Sequence, residues 1–309
     1  MSNSVQPICV DQVSHVSQVL EQLETILLGK RDQLEMSVAC MLAKGHLLIE
    51  DVPGTGKTTL AQALGASMGL NWKRVQFTSD LLPADIVGVS VFNSQTQQFD
   101  FREGPAFTSV LLADEINRAP PKAQSALLEA MEERQISVDG STYPLPDEFF
   151  VIATQNPVEQ LGAYPLPESQ LDRFLVGLSL GYPDPVVERQ LMQEGDKRTS
   201  INTLQAVANQ ALLQQWSVEA EAVHVSDIIY DYIQALLLRS REDGSGLSSR
   251  AGLSLVRLSK SLAYISGRDH ALPDDVQRAF PALAGHRLTG RVSTGHAAAM
   301  EILSSVPSP

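Results

Sequence analysis

Apolar residues near the start of the chain recur at helical spacing, with Val16, Leu20, Leu23, Ile26 and Leu27 on one face. Leu34 to Ala43 predicts a second helix ending near Gly45. The pattern then changes: "HLLIE" (His46 to Glu50) is a short continuous apolar run entering a glycine-rich turn, and "KTTLAQALGASMG" reads as a helix leaving it. Further runs follow at "KRVQF" near residue 75, "SVLLAD" (109–114), "FFVIAT" (149–154) and "FLVGLSL" (174–180). Continuous runs separated by helical patterns predict central strands of a parallel sheet covered by helices on both faces. This is the layout of an α/β core.

Beyond "GYPDP" (Gly181 to Pro185) the pattern is helical, in "VVERQLM", "LQAVANQALL", "SDIIYDYIQALLLRS", "SLVRLSKSLAYIS" and "PDDVQRAF". A boundary near residue 183 divides the chain into a core over 1–182 and a smaller all-helical domain over 183–309, in keeping with a length of 309 residues. Two stretches in the core alternate apolar and polar residues about a turn. They are 89–107 and 135–146, the second around Asp139-Gly140, a strong hairpin signal. "REDGSG" (Arg241 to Gly246) reads as a surface loop.

With 43% hydrophobic and 19% charged residues, the composition is that of an ordinary folded protein. The net charge of −13 repels phosphate backbones and anionic membranes, and no basic patch interrupts it. Cys9 and Cys40 lie far apart without a metal-ligand or CxxC spacing, so both read as reduced thiols, which suits a cytoplasmic protein. The first residues lack a signal-peptide pattern, and no apolar run approaches the roughly 18 residues that span a bilayer, so no membrane anchor is expected. The histidines show no paired-ligand spacing, and His46 reads as a packing residue at a strand start.

The chemistry is concentrated in "IEDVPGTGKTTL" (Ile49 to Leu60), which satisfies the phosphate-loop pattern GxxxxGK[ST] except at its first glycine, where Asp51 stands. Gly54 and Gly56 allow the backbone to turn its N–H groups around a phosphate, and the helix that follows adds the positive end of its dipole. Pro53, Thr55 and Thr59 complete the loop, Lys57 would hold the β- and γ-phosphates, and the Thr58 hydroxyl would ligate Mg2+. Val52-Pro53 already imposes an extended turn, so Asp51 is expected to be tolerated, with its carboxylate pointing away from the phosphates. In "VLLADE", four apolar residues deliver Asp114 to the metal and Glu115 to a position where it can polarise water.

The run "LLADEINRAPPKAQSALLEAMEERQISVDG", continuing through "FFVIATQNPVEQLGAYPLPESQLDRF", resembles the MoxR family of AAA+ ATPases, and the similarity extends from about Leu28 to the closing "SVPSP". The resemblance implies a phosphate-loop AAA+ core followed by a helical lid, with ATP and Mg2+ as cofactors. It makes Asn156 the sensor that positions the lytic water, and Arg173 the arginine finger inserted into a neighbouring subunit's site. Gly29 matches the segment near adenine. Arg250 matches the second sensor arginine, although Leu247 and Ser249 stand where the family has Ala and Pro. From the residues alone, Asn156 reads as a turn residue before proline and Arg173 as an ion pair with Asp172. Ser248 or Ser249 caps a helix that carries Arg250 in its first turn, an arrangement costing about 0.3 to 1 kcal/mol that a nucleotide phosphate could offset. Two readings of Arg118 stay open, an interface contact and a salt bridge to a nearby acid. The hairpins are implied to project toward a ring pore or a substrate, the alternative being edge hairpins that finish the sheet.

The resemblance implies a homo-oligomeric ring, six subunits by family precedent, that remodels or matures a protein client together with a von Willebrand factor A domain protein. A nucleic-acid motor or loader is opposed by the net charge of −13. A nucleotide-regulated binding module is opposed by the intact set Lys57, Asp114, Glu115, Asn156 and Arg173.

Overall fold

The computed structural model describes residues 10–157, 163–194, 201, 204–242 and 246–309. Cys9, the middle of the Arg241–Gly246 loop and part of the run after Asn156 lie outside them.

Two helices, α1 (Val10–Ile26) and α2 (Arg31–Leu42), precede the first strand, as the apolar spacing predicts. The strands β1 (Leu47–Glu50), β2 (Trp72–Gln76), β5 (Val110–Asp114), β8 (Phe150–Gln155) and β9 (Val176–Leu178) form one sheet in the order β2-β5-β8-β1-β9. Every pairing in it is parallel. The three middle strands are fully buried apart from Gln155 at the end of β8, which accounts for their unbroken apolar runs. The expectation of a central strand fails for "KRVQF": β2 is an edge strand on which only Val75 is buried, leaving Arg74 and Gln76 free to point at the neighbouring strand's tip. β9 is the opposite edge.

Helix α3 (Lys57–Ser67) leaves β1 through the glycine-rich loop, and α5 (Pro121–Glu133) packs below the exit of β5. Between them lie a short helix α4 (Pro83–Val87) and the first predicted hairpin, β3–β4 (Gly88–Asn93, Gln98–Glu103), and the second, β6–β7 (Gln135–Val138, Ser141–Pro144), follows α5. Asp139 and Gly140 both have positive φ, 50° and 81°, as a two-residue I′ turn requires. The hairpins brace one another, since Phe101 stacks on Tyr143 with ring centroids 4.0 Å apart.

After a four-residue helix α6 (Glu168–Leu171) and β9, the remaining chain is helical: α7 (Pro185–Glu194), α8 (Gln210–Ala222), α9 (Asp227–Arg241), α10 (Ser249–Ile265), α11 (Pro273–Thr289) and α12 (Val292–Ser305). "LQAVANQALL" is helical only in its second half. Val207 and Ala208 instead donate to the Ser67 carbonyl, and Asn209 caps α8 by accepting from Leu212 N at 2.9 Å. The helical half is not a separate globule: one buried cluster runs from Val16 and Leu34 through Ile49 and Ile152 to Leu258 and Phe280. Two buried contacts tie α11 and α12 to the sheet. His286 bonds the Phe174 carbonyl at 2.9 Å, and the Glu50 carboxylate at the tip of β1 accepts from Val292 N at the start of α12.

Candidate active site

The carboxyl ends of β1, β5 and β8 open into a cavity of about 420 Å³. Pro53, Gly54, Gly56, Lys57, Thr58 and Thr59 line one side, and Asp114, Glu115 and Asn156 the other. The parallel register explains the meeting, because Glu50 pairs with Gln155 and Ala113 with Ala153, so each strand releases its polar tip at one level. Gly54 and Gly56 have φ of 90° and 99°, values that L side chains rarely adopt, and Gly56 immediately precedes α3. The loop therefore ends on the free N–H groups of an eleven-residue helix, an anion-binding end.

Asp51 does not enter this cavity. Its carboxylate accepts from Ser179 Oγ at 3.1 Å, Leu180 N at 2.5 Å and Gly181 N at 3.1 Å, tying the loop to the segment that leaves β9. The residue that departs from the phosphate-loop pattern is thus a brace between β1 and β9. Lys57 Nζ donates to the carbonyls of Asp51 and Val52, at 2.7 and 3.0 Å. Burial lowers the Lys57 pKa from its ordinary value, against the opposing pull of Asp51, Asp114 and Glu115.

The acids are held by residues that sequence reading passed over. Thr154, the fifth residue of β8, donates its hydroxyl to Asp114 Oδ1 at 2.5 Å and accepts from Glu115 N at 2.9 Å. Glu115 has φ 57° and ψ 48°, left-handed backbone in a non-glycine residue, a strained conformation of the kind found where a side chain must be aimed. Its carboxylate accepts from Gln76 Nε2 at 2.6 Å and Arg118 Nη1 at 3.0 Å. Of the two readings of Arg118, the intrachain salt bridge is the one formed in this subunit. Arg74 meets Asp114 Oδ2 through Nη2 at 2.5 Å and Nε at 3.2 Å. The signal for Arg74 and Gln76 was their i, i+2 spacing, which puts both on one face of a strand.

The residues fit a nucleotide with Mg2+. Thr58 and Asp114 line the same cavity as Lys57, and Asp114 is a buried carboxylate beside a phosphate-binding loop. A second cavity of about 700 Å³ shares Pro53, Gly54, Gly56 and Thr59 with the first and adds Thr55. Its apolar walls are Ile26, Leu28, Tyr182 and Leu191, suited to a planar base. Gly29 does not line this cavity although Leu28 and Lys30 on either side of it do; its φ is 69°, and a Cβ there would lie 3.2 Å from Val187.

Arg173 and Arg250 are not in either cavity. They converge on one carboxylate, Arg173 Nε on Glu132 Oε2 and Arg250 Nη2 on Glu132 Oε1, each at 3.0 Å. In this subunit Arg250 pairs with Glu132 and reaches neither cavity at the phosphate loop. Ser248 Oγ caps α10 as expected, accepting from Ala251 N at 3.1 Å. Asp172 pairs not with Arg173 but with Arg287, at 2.8 Å. Arg287 also donates to the Asp172 and Phe174 carbonyls at 3.1 and 2.8 Å, gripping the backbone on both sides of Arg173. Burial lowers the Arg287 pKa, opposed by the Asp172 carboxylate. These groups line a cavity of about 170 Å³ with Lys44 and His46, which precede β1, and it shares no lining residue with the phosphate-loop cavity. Val176 pairs with Leu47, so Arg173 lies at the amino end of the sheet and the loop at the carboxyl end. At about 3.3 Å per residue, β1 alone separates them by roughly 13 Å.

A parallel sheet with a phosphate loop after its penultimate strand, paired acids after the strand two places away and a helical unit behind defines a P-loop ATPase of the AAA+ class. Residues 46–176 match the family described as ATPase family associated with various cellular activities (AAA), and residues 244–306 match the AAA lid domain. The chain is 45% identical to the uncharacterised protein YeaC of Bacillus subtilis, over 88% of this chain and 86% of that one. It is 37% identical to Chaperone MoxR1 of Mycobacterium tuberculosis, over 90% and 76%. A crystal structure of a protein assigned as an ATPase from Cytophaga hutchinsonii superposes with a TM-score of 0.86 at 32% identity, covering 97% of this chain and 96% of that one. The chain belongs to the MoxR family of AAA+ ATPases, and is an ATP-hydrolysing enzyme with a nucleotide-binding core and a helical lid.

Proposed function

We propose that the chain couples ATP hydrolysis to remodelling or maturation of a protein client, working as a head-to-tail ring, with six subunits by family precedent. The observation that carries the ring is the position of Arg173 and Arg250 at the opposite end of the sheet from their own phosphate loop. Two guanidinium groups aimed by one carboxylate have no reaction to serve within the subunit. A head-to-tail neighbour supplies one, and such contacts close into rings. Domain limits of 1–182 and 183–309 fit this arrangement, since Arg173 belongs to the first unit and Arg250 to the second.

In this mechanism Lys57 and the amides that follow Gly54 bind the β- and γ-phosphates, while Thr58 and Asp114 hold Mg2+. When bound, the ion neutralises phosphate charge and orients the oxygens for in-line attack. Glu115 accepts the proton of the attacking water, and the Asn156 amide orients that water. Arg173 of the neighbouring subunit stabilises charge developing on the transferred phosphoryl group, with Arg250 beside it. Arg118, now bonded to Glu115, is close enough to the catalytic carboxylate to report a neighbour's approach.

Support for a protein client comes from the hairpin β3–β4, whose Phe92 and Phe99 side chains are 54% and 72% exposed and packed edge-on against each other. Exposed aromatics at a hairpin tip favour contact with another chain over an edge that merely finishes a sheet. A von Willebrand factor A domain protein as partner and a cytoplasmic location rest on the family resemblance. The net charge of −13 favours a protein client over nucleic acid. Among the described residues, no helix is long and apolar enough to cross a membrane.

The test is complementation between dead subunits. Arg173→Ala and Lys57→Ala proteins should each be inactive alone, and mixing them should restore part of the ATPase activity, because some interfaces then pair an intact loop with an intact finger. No recovery in mixed rings verified by native mass spectrometry would refute the trans geometry.

A further inference from the structure

The cavity contains a cation that the ATPase reaction does not require. Arg74, on the edge strand β2, reaches across to β5 and places two N–H groups on Asp114 Oδ2, at 2.5 and 3.2 Å. The other oxygen, Oδ1, is already bonded to the Thr154 hydroxyl. The oxygen that no hydroxyl occupies is the one the guanidinium covers, and Arg74 lines the same cavity as Lys57 and Thr58. The contact continues outward. Arg74 Nη2 also donates to Gln76 Oε1 at 2.9 Å, and Gln76 Nε2 donates to Glu115 Oε2 at 2.6 Å. A single side-chain amide thus joins the group on the metal ligand to the group on the water-activating carboxylate.

We propose that Arg74 is a resident counter-ion for Asp114, a positioning residue that occupies the carboxylate until Mg2+ arrives with the nucleotide and, through Gln76, ties that exchange to the release of Glu115. The inference rests on the reading of Asp114 as the metal ligand. Two positive charges cannot share one carboxylate oxygen without strong repulsion, so the incoming ion displaces the guanidinium. The displaced fork is half-exposed and lines the cavity of the phosphate loop, where the oxygens of a bound phosphate would be its next acceptors. Once Nη2 leaves, Gln76 loses the donor that fixes its amide. Gln76's share of the hold on Glu115, which Arg118 also bonds, then loosens in the state in which the carboxylate must turn to water.

The consequence is readable in metal dependence, apart from hydrolysis. Binding of a fluorescent ADP derivative is titrated with Mg2+ in the parent protein, Arg74→Gln and Arg74→Lys, and Mn2+ uptake in the ADP complex is followed by electron paramagnetic resonance. Arg74→Gln should reach half-saturation at an Mg2+ concentration at least about threefold lower, since the ion no longer displaces a cation from a half-exposed pair. It should also bind the derivative more weakly in excess chelator, where the parent's guanidinium stands in for the metal. Arg74→Lys, which keeps the charge without the fork, should fall between the two and guards against a merely structural effect. An Mg2+ midpoint that is unchanged or raised in Arg74→Gln, with nucleotide still bound, overturns the counter-ion role alone. Failure of the parent to bind the derivative at any Mg2+ concentration counts against the nucleotide site itself and the proposal with it.

Discussion

The two ends of the central sheet carry different charge balances. In the cavity at the carboxyl ends, Lys57 and Arg74 face Asp114 and Glu115, two cations against two anions. At the amino ends, Lys44, Arg134, Arg173, Arg250, Arg257 and Arg287 face only Glu132 and Asp172. Backbone amides and a helix terminus at the first end would hold a polyanion, so its side chains need no excess charge. The second has excess charge and no phosphate-binding backbone of its own. Such an end is suited to lending charge to a site on another molecule, which is the trans role proposed for Arg173 and Arg250.

The largest effects should separate the two ends by hydrolysis and binding together. Arg173→Ala should lower ATP turnover by about 10³-fold or more, the range for an arginine finger, while an isolated subunit binds nucleotide as the parent does. Glu115→Gln should lower turnover by about 10²- to 10⁴-fold, as loss of a general base does, again with binding retained. Isothermal titration of monomeric subunits checks both. A weakened nucleotide affinity in monomeric Arg173→Ala would break the division between the ends.

A smaller effect tests whether the amino end is a packed structural joint. A Cβ on Gly45 would lie 2.3 Å from the Leu175 side chain, beside the backbone that carries Arg173. Gly45→Ala should cost about 1 to 3 kcal/mol in urea unfolding, the range for overpacking, and disturb turnover only through Arg173. Unchanged stability would show that this joint yields easily.

The smallest effect per unit of change is with pH. His46 accepts from Val151 N on Nδ1 and bonds the Met131 carbonyl with Nε2, and burial, reinforced by Arg134, depresses its pKa to about 3. His286 is lowered too, by burial and then by Arg287. A depressed histidine means that the unfolded chain binds the proton more readily. Each group's contribution is therefore complete above about pH 6.5 and is lost as pH falls from there toward the folded value. Stability should fall by at most about 1.4 kcal/mol per pH unit for each histidine between pH 6.5 and 5, where few carboxylates titrate. Urea unfolding with a flat profile over that interval would contradict two neutral buried rings at the amino end.

How much of this could be read in advance follows the spacing of the groups. The phosphate loop occupies consecutive residues from Pro53 to Thr59, and its chemistry is a property of a local turn and the helix after it. Asp114 and Glu115 sit at the end of an unbroken apolar run whose burial the run itself announces. Those residues, the hairpin at Asp139-Gly140 and the Ser248 cap were legible because short-range backbone geometry decides them. Edge position is not legible in such a run, so the pattern alone places Arg74 and Gln76 on a buried strand. Thr154 was passed over because its partners, Asp114 Oδ1 and Glu115 N, are 40 and 39 positions away and meet it only through strand pairing.

The sequence by itself determined that this is a phosphate-loop ATPase with a helical second half, because a cradle of amides, a lysine and a threonine is specified within a dozen residues. Only the tertiary structure decided where Arg173 and Arg250 lie. Their shared carboxylate comes from α5, Arg173 from the turn before β9 and Arg250 from α10, three segments with no local relation. The parallel register carries that turn to the amino end of the sheet, away from the loop it resembles a partner for. The same register turned Asp51, an irregular residue in the motif, into the brace that holds β1 against the exit of β9.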